Sequence, residues 1–268
     1  MQKKTVRLGL IGKDVSKSTS DKVHTFILSQ WGINCIYQKF SVDIDTFDDT
    51  MRMLIGDFDG FNVTIPYKRD VLSYLDEAVG EALQCGAVNT VLCNSLKGYN
   101  TDGVGFLQML ESENVTVKGK KVLILGAGGS GRSVAVTLKN AGATVYMYRR
   151  NKPELLETVN ELGVFAVDDA ETGGFDIVIN TTGVGMHDTT GISPVTEKAF
   201  LGATCAVDLI YYPKQSQFLS IAKQKGLQTI NGEAMLFYQG YYADCLFVER
   251  TPDSAEAKKL YEKYLTTL

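Results

Sequence analysis

Two groups that could move a proton are Lys68, which ends the run NVTIPYK at 62–68, and Asp102, in YNTDGVGF at 99–106. Histidine is scarce: His24 and His187 are the only two in 268 residues, so an acid/base catalyst has to be sought mainly among lysines and carboxylates. A third segment, LGAGGSGRS at 125–133, has glycines spaced to cradle phosphate, with Gly126, Gly128 and Gly131 on the GxGxxG pattern.

Each segment is read with the elements that flank it. In NVTIPYK a strand ends and Pro66 can open a helix, placing Lys68 in its first turn. A cation there opposes the helix dipole, which favours a lysine that gives up its proton readily; a solvated surface lysine is the plainer alternative. Asp102 can equally be the cap of the following helix, with Asn100 and Gly103 as turn residues. Ser18 and Ser20 lie near the start of a helix expected at about 20–31, where hydroxyls can hold a carboxylate. From these residues alone, capping by Ser20 is the simpler reading. His24 shares a helical face with Phe26, Ile27 and Trp31 and reads as packing.

The glycine loop follows the strand KVLIL at 121–125 and opens a helix, the context in which the pattern means dinucleotide binding. Gly126 allows the tight turn, Gly128 lets the backbone approach a pyrophosphate, and Gly131 lets helix and strand close up. The next strand ends in YRRN, so Arg149 and Arg150 stand where an NAD site usually has a carboxylate; two guanidiniums suit a 2′-phosphate. The alternative is a pair of solvated arginines.

Around these segments β-branched runs alternate with amphipathic stretches. Strands are expected at 6–11, 37–42 and 60–65 with helices near 20–31 and 45–55. A second βαβ series follows, with strands at 121–125, 144–148, 176–180 and 205–210. This rhythm predicts an α/β chain with largely parallel sheets, in two units. The polar stretch ESENVTVKGK at 111–120 is the expected junction, and the helical tail at about 234–267 must pack on an earlier unit.

Composition narrows the rest. A net charge of −4 and a pI near 5.3 give no field drawing the chain to nucleic acid or anionic membrane. No run approaches the roughly 18 apolar residues of a membrane span, and MQKKTVRLGLIG lacks the apolar core of a secretory signal, so a cytoplasmic protein is expected. Five cysteines, an odd number without a CxxC pair, argue against a disulfide framework or structural zinc and read as buried thiols.

In these residues the chain closely resembles the shikimate dehydrogenase family over nearly its full length. SKSTS at 16–20, NVTIPYK, GAVNT at 86–90, NTDG at 100–103, GAGGSGR, NTTGVGM at 180–186, DLIYYP at 208–213 and GEAMLFYQG at 232–240 match in order. The resemblance implies that Ser18 and Ser20 bind a substrate carboxylate, that Thr64, Asn89, Tyr211 and Gln239 contact its ring or hydroxyls, and that Lys68 and Asp102 form the catalytic pair. NADP would be held by Gly126, Ala127, Gly128, Gly129, Ser130 and Gly131, with Arg149, Arg150, Thr181 and Met235, the last near the nicotinamide.

It further implies a substrate domain of 1–103 plus 235–268 and a doubly wound Rossmann-type domain of 104–234, facing each other across a cleft. The activity implied is NADPH-dependent reduction of 3-dehydroshikimate to shikimate, in the biosynthesis of chorismate and the aromatic amino acids, by a monomer or homodimer whose partners are small molecules alone. A quinate/shikimate dehydrogenase using NAD or both cofactors, and a non-catalytic ligand sensor, are the alternatives. Lys17, Asp21, Gly183, Ala234 and the tail FVER depart from the usual family pattern; none removes a proposed catalytic group, and they bear on substrate preference more than on the reaction.

Overall fold

A computed structural model describes residues 5–268. By Cα proximity the chain forms two compact units, Met1–Gln108 with Leu236–Leu268, and Met109–Met235.

The first unit is built on a six-stranded sheet. Its elements are β1 (Thr5–Gly12), α1 (Ser20–Gln30), β2 (Asn34–Ser41), α2 (Phe47–Asp57), β3 (Gly60–Val63), β4 (Glu77–Ala78), α3 (Glu81–Cys85), β5 (Thr90–Leu92), β6 (Lys97–Tyr99) and α4 (Asp102–Ser112), in strand order β2-β1-β3-β5-β6-β4. The expected parallel pattern holds for β2, β1 and β3, but β5 runs antiparallel to both β3 and β6. The sheet is therefore mixed: only residues 93–96 lie between β5 and β6, too few for the crossover a parallel pair requires.

Register decides where the polar segments go. Ile11 is level with Val63, Asn62 with Thr90, and Thr90 with Tyr99. The chain therefore leaves β1 toward Ser18, leaves β3 toward Lys68, enters β5 from Asn89 and leaves β6 toward Asp102, all at one edge of the sheet. Behind that edge a core of Ile11, Phe47, Met51, Leu54, Phe61, Val63, Tyr67 and Val91 is closed to solvent.

The second unit contains β7 (Lys121–Leu125), α5 (Gly129–Asn140), β8 (Thr144–Tyr148), α6 (Lys152–Leu162), β9 (Phe165–Ala166), β10 (Ile177–Asn180), β11 (Cys205–Asp208), α7 (Gln217–Gln224) and β12 (Gln228–Asn231). Its sheet is wholly parallel, ordered β12-β11-β10-β7-β8-β9. That is the doubly wound Rossmann order, and its direction reverses between β7 and β10. Strands buried on both faces read as the near-continuous apolar runs KVLIL and IVIN.

The unit boundary at 108/109 falls inside α4, ahead of the polar stretch expected to form the junction, because the apolar spacing of Phe106, Met109 and Leu110 keeps the helix going. The second boundary likewise falls inside α8 (Glu233–Phe247), which with α9 (Ser254–Leu265) makes the helical tail. The tail packs on the first unit through aromatic contacts, Phe26 with Tyr264 at 5.1 Å and Trp31 with Tyr241 at 5.6 Å.

His24 is part of this packing. It is buried, stacked on Tyr37 at 4.7 Å, and its Nδ1 is 2.6 Å from Asp244 of α8. Burial raises the Asp244 pKa to about 6 against the opposing pull of His24. All five cysteines are free thiols, and burial pushes Cys35, Cys93, Cys205 and Cys245 up to about 12. No helix among the described residues is long and apolar enough to cross a membrane.

Candidate active site

Lys68 does not lie in a helix. Residues 65–69 form a turn after β3, followed by a 3-10 helix, Asp70–Tyr74. The dipole opposition expected at this position does not operate, because a short 3-10 turn lacks the aligned peptide stack of an α-helix. Lys68 is held instead by the backbone, its carbonyl accepting from Val88 N at 2.7 Å.

Its ammonium is buried and ion-paired with Asp102 Oδ2, the two side chains 8% and 7% exposed. Asp102 is the first residue of α4, and its carboxylate faces Lys68 and Asn89. Asn89 Nδ2 donates to the second carboxylate oxygen at 2.8 Å. A buried charge is tolerated where it is paired and its remaining lone pairs are satisfied, and this pair meets both conditions.

Asn89 is the hub. Its amide nitrogen also reaches Thr101 Oγ1 at 3.0 Å and Gln239 Oε1 at 3.4 Å. Its Oδ1 accepts from Thr101 N at 2.9 Å and Thr90 Oγ1 at 2.8 Å. Asn100 fixes the start of α4 by accepting from Asp102 N at 3.0 Å while donating to Ala87 O at 2.8 Å. Gln239 comes from α8, which approaches α4 closely at Gly105: a Cβ there would lie 2.6 Å from Gln239 N and 2.9 Å from its Cα.

Ser18 and Ser20 also belong to this unit. Ser18 Oγ donates to Ser20 Oγ at 3.0 Å and accepts from Ser20 N at 3.2 Å. Thr19, not Ser20, holds the N-cap position of α1, without a side-chain cap bond, so the capping reading of Ser20 is overturned and both hydroxyls lie at one spot. Thr64 follows β3, its amide bonded to Ile11 O at 2.9 Å.

Three further polar residues were missed by the sequence reading. Asn62, buried in β3, donates to Asn89 O and Thr90 Oγ1, both at 3.2 Å, and accepts from Tyr37 OH at 2.9 Å. Burial and the Asp244 charge hold the Tyr37 phenol well above its ordinary range, opposed by a hydrogen bond with Ser20. Thr101 is the third. Asn in a strand interior is unfavourable unless it is bonded, and that signal stands in GFNVT.

In the second unit the glycine loop lies at the strand-order reversal. Gly126 has φ +109°, and a Cβ on it would lie 2.8 Å from Thr181 Oγ1. A Cβ on Gly131 would meet Gly126 O and Thr181 Oγ1, both at 2.7 Å, whereas Gly128 faces open space. Thr181 Oγ1 donates to Leu125 O at 2.9 Å. Ala127 is buried, Gly129 and Ser130 are partly exposed, and α5 starts at Gly129. This is a turn shaped for an anion, with close backbone packing at Gly126 and Gly131 and an open approach at Gly128.

The arginines differ from one another. Arg149 is ion-paired with Glu154, while Arg150 is exposed and forms no ion pair among the described residues. Tyr211 follows β11, half-buried, with its phenol pKa raised by burial. Its loop and that of Thr181 are tied by Asp208, which accepts from Ser216 Oγ at 2.6 Å, Asn180 Nδ2 at 3.0 Å and Ile210 N at 3.1 Å. Met235 is buried in the first turn of α8. No metal-binding cluster occurs among the described residues.

A family model described as the shikimate dehydrogenase substrate binding domain matches residues 10–91. Shikimate dehydrogenase (NADP(+)) of Thermus thermophilus is 36% identical over 250 residues, covering 92% of this chain and 94% of that relative. The enzyme of the same name from Methanococcus aeolicus is 38% identical over 252 residues, covering 88% and 90%. The crystal structure of a Thermus thermophilus shikimate 5-dehydrogenase in complex with NADP(H) and shikimate superposes with a TM-score of 0.87 at 34% identity, over 97% of this chain and 99% of that one. A mixed sheet that gathers a lysine, an aspartate and an asparagine at one edge, a doubly wound sheet with its glycine turn at the reversal point, and likeness over nearly the whole length lead to one conclusion: the chain belongs to the shikimate dehydrogenase family.

Proposed function

We propose that this chain catalyses the reversible, NADPH-dependent reduction of the ring ketone of 3-dehydroshikimate to the alcohol of shikimate, with Lys68 and Asp102 as the acid/base pair. The observation that carries the assignment is the buried Lys68–Asp102 ion pair, held by Asn89, which in turn reaches Gln239.

When bound, NADPH supplies the hydride that goes to the carbonyl carbon. The chain supplies the proton: Lys68 Nζ gives it to the carbonyl oxygen as negative charge develops there, and Asp102 holds the ammonium aimed beforehand. General acid catalysis of this kind contributes about 10²–10⁴-fold. Asn89, bonded to Asp102, and Gln239, bonded to Asn89, orient the ring hydroxyls, together with Thr64 and Tyr211. The adjoining hydroxyls of Ser18 and Ser20 take the substrate carboxylate, two donors on an acceptor-only group.

The first unit is then the substrate-binding part and the second holds NADPH. Its pyrophosphate would lie on the turn from Gly126 through Ala127, Gly128, Gly129 and Ser130 to Gly131, beside Thr181, with Arg150 and Arg149 toward the 2′-phosphate and Met235 toward the nicotinamide. The open space at Gly128 and the closure at Gly131 and Thr181 fit such a group.

The test is initial-rate reduction of NADP⁺ and of NAD⁺ by shikimate and by quinate. Turnover is expected to be fastest with NADP⁺ and shikimate. Faster turnover of quinate overturns the substrate assignment, and saturable binding without turnover overturns the enzymatic one.

A further inference from the structure

The turn between β8 and α6, with the first residues of α6, holds three cations, Arg149, Arg150 and Lys152, and one carboxylate, Glu154. Glu154 is the third residue of α6, and its two oxygens hold the residues on either side of Arg150. Oε2 is ion-paired with Arg149 Nη2, and Oε1 accepts from Asn151 Nδ2 at 2.7 Å. Asn151 occupies the N-cap position of α6, yet its side chain makes no cap bond, because its amide is turned to Glu154. Lys152 is matched with Asp168 at 3.0 Å. Of the three cations, Arg150 alone is left without an ion-pair partner among the described residues.

A dinucleotide 2′-phosphate carries close to two negative charges and is recognised by paired guanidiniums. Here one of the two is already neutralised by a neighbour on the same turn. The phosphate must either draw Arg149 away from Glu154, which leaves that carboxylate unpaired beside it, or bind to Arg150 without help from the second guanidinium. Both routes cost the phosphorylated cofactor and neither costs its unphosphorylated counterpart.

We infer that Glu154 is a specificity-determining residue, an internal counter-ion that holds down the preference for NADPH over NADH. The inference rests on the reading that the β8–α6 turn receives the 2′-phosphate. Arg149 and Glu154 are 38% and 46% exposed, so their interaction is screened and the effect is modest. Removing an exposed pair of this kind together with the carboxylate's repulsion of the phosphate amounts to about three- to tenfold in relative specificity.

The test compares kcat/KM for NADPH and NADH, with saturating 3-dehydroshikimate, in the wild type, Glu154→Gln, Glu154→Lys and Arg150→Ala. Glu154→Gln is expected to raise the NADPH:NADH ratio about three- to tenfold, through a lower KM for NADPH, and Glu154→Lys to raise it further. Both gains should shrink at high salt. Arg150→Ala should lower the ratio. If Arg150→Ala lowers it while Glu154→Gln leaves it unchanged or lower, the counter-ion role is overturned and the phosphate site stands. If neither variant moves the ratio, the phosphate is held elsewhere, and both the inference and its underlying reading are overturned.

Discussion

Replacing Asp102 with asparagine keeps the shape of the side chain and an acceptor for Asn89 Nδ2, now 2.8 Å from Oδ1, but removes the charge facing Lys68. Lys68 is 7% exposed and Asp102 5%, so the ammonium left behind cannot turn to bulk water for compensation. Breaking a buried pair by removing one partner costs about 3–5 kcal/mol. At about 2–4 °C per kcal/mol for a chain of this size, the melting temperature should fall by about 6–20 °C. Lys68→Met should also destabilise, because it strands the carboxylate. The double variant Lys68→Met/Asp102→Asn removes both charges and should be more stable than either single variant, since a buried pair exchanged for neutral groups is close to energetically neutral. Activity separates from stability here. All three variants should lose about 10²–10⁴-fold in kcat, whatever their stability. Urea unfolding followed by circular dichroism, and NADPH consumption under saturating substrate, measure the two quantities. If the double variant loses the sum of the two single losses, the charges do not compensate each other. If Lys68→Met keeps turnover within about threefold, below the range for general acid catalysis, Lys68 is not the proton donor.

A methyl group at Gly131 would press on Gly126 O and Thr181 Oγ1, each 2.7 Å from the added carbon; Gly131→Ala should cost about 1–3 kcal/mol and weaken NADPH binding, read by fluorescence titration, with shikimate affinity kept. At Gly105 the added carbon would meet the α8 backbone at Gln239, 2.6 Å from its N. Gly105→Ala should therefore raise the KM for shikimate by shifting Gln239 while leaving the Kd for NADPH unchanged. Burial raises the Asp208 pKa to about 6, opposed by hydrogen bonds from Ser216, Ile210 and Asn180. A carboxyl that binds its proton more tightly in the folded state contributes stability that is complete below its unfolded pKa of about 3.9 and is lost as pH rises through about 6. From about pH 4 to about pH 7 wild-type stability should thus fall relative to Asp208→Asn by about 2–3 kcal/mol, measured by urea unfolding across that range; a difference that does not change with pH would refute it.

Several features were legible in the residues because they report local requirements. The βα alternation appears as apolar runs such as KVLIL and IVIN, since strands buried on both faces admit little else. The tight turn after β7 is visible at Gly126, which has positive φ, and at Gly131, where Gly126 O and Thr181 Oγ1 leave no room for a side chain. The scarcity of histidine directs the search for a proton carrier to the lysines and carboxylates as classes.

Tertiary structure decided the rest. Lys68 and Asp102 are 34 positions apart, and each alone reads as well as a solvated lysine or a helix cap; the β3–β5–β6 register brings them to one sheet edge. The helix expected after Pro66 did not form, and Lys68 is held by a backbone bond from Val88 that no local pattern encodes. His24 meets Asp244 across 220 positions, and the charge available at Arg149 depends on the direction of the Glu154 side chain. Periodicity and composition record what each residue needs from its immediate backbone. Hydrogen bonds and ion pairs depend on distance and direction between groups remote in the chain, and only the folded sheet sets those.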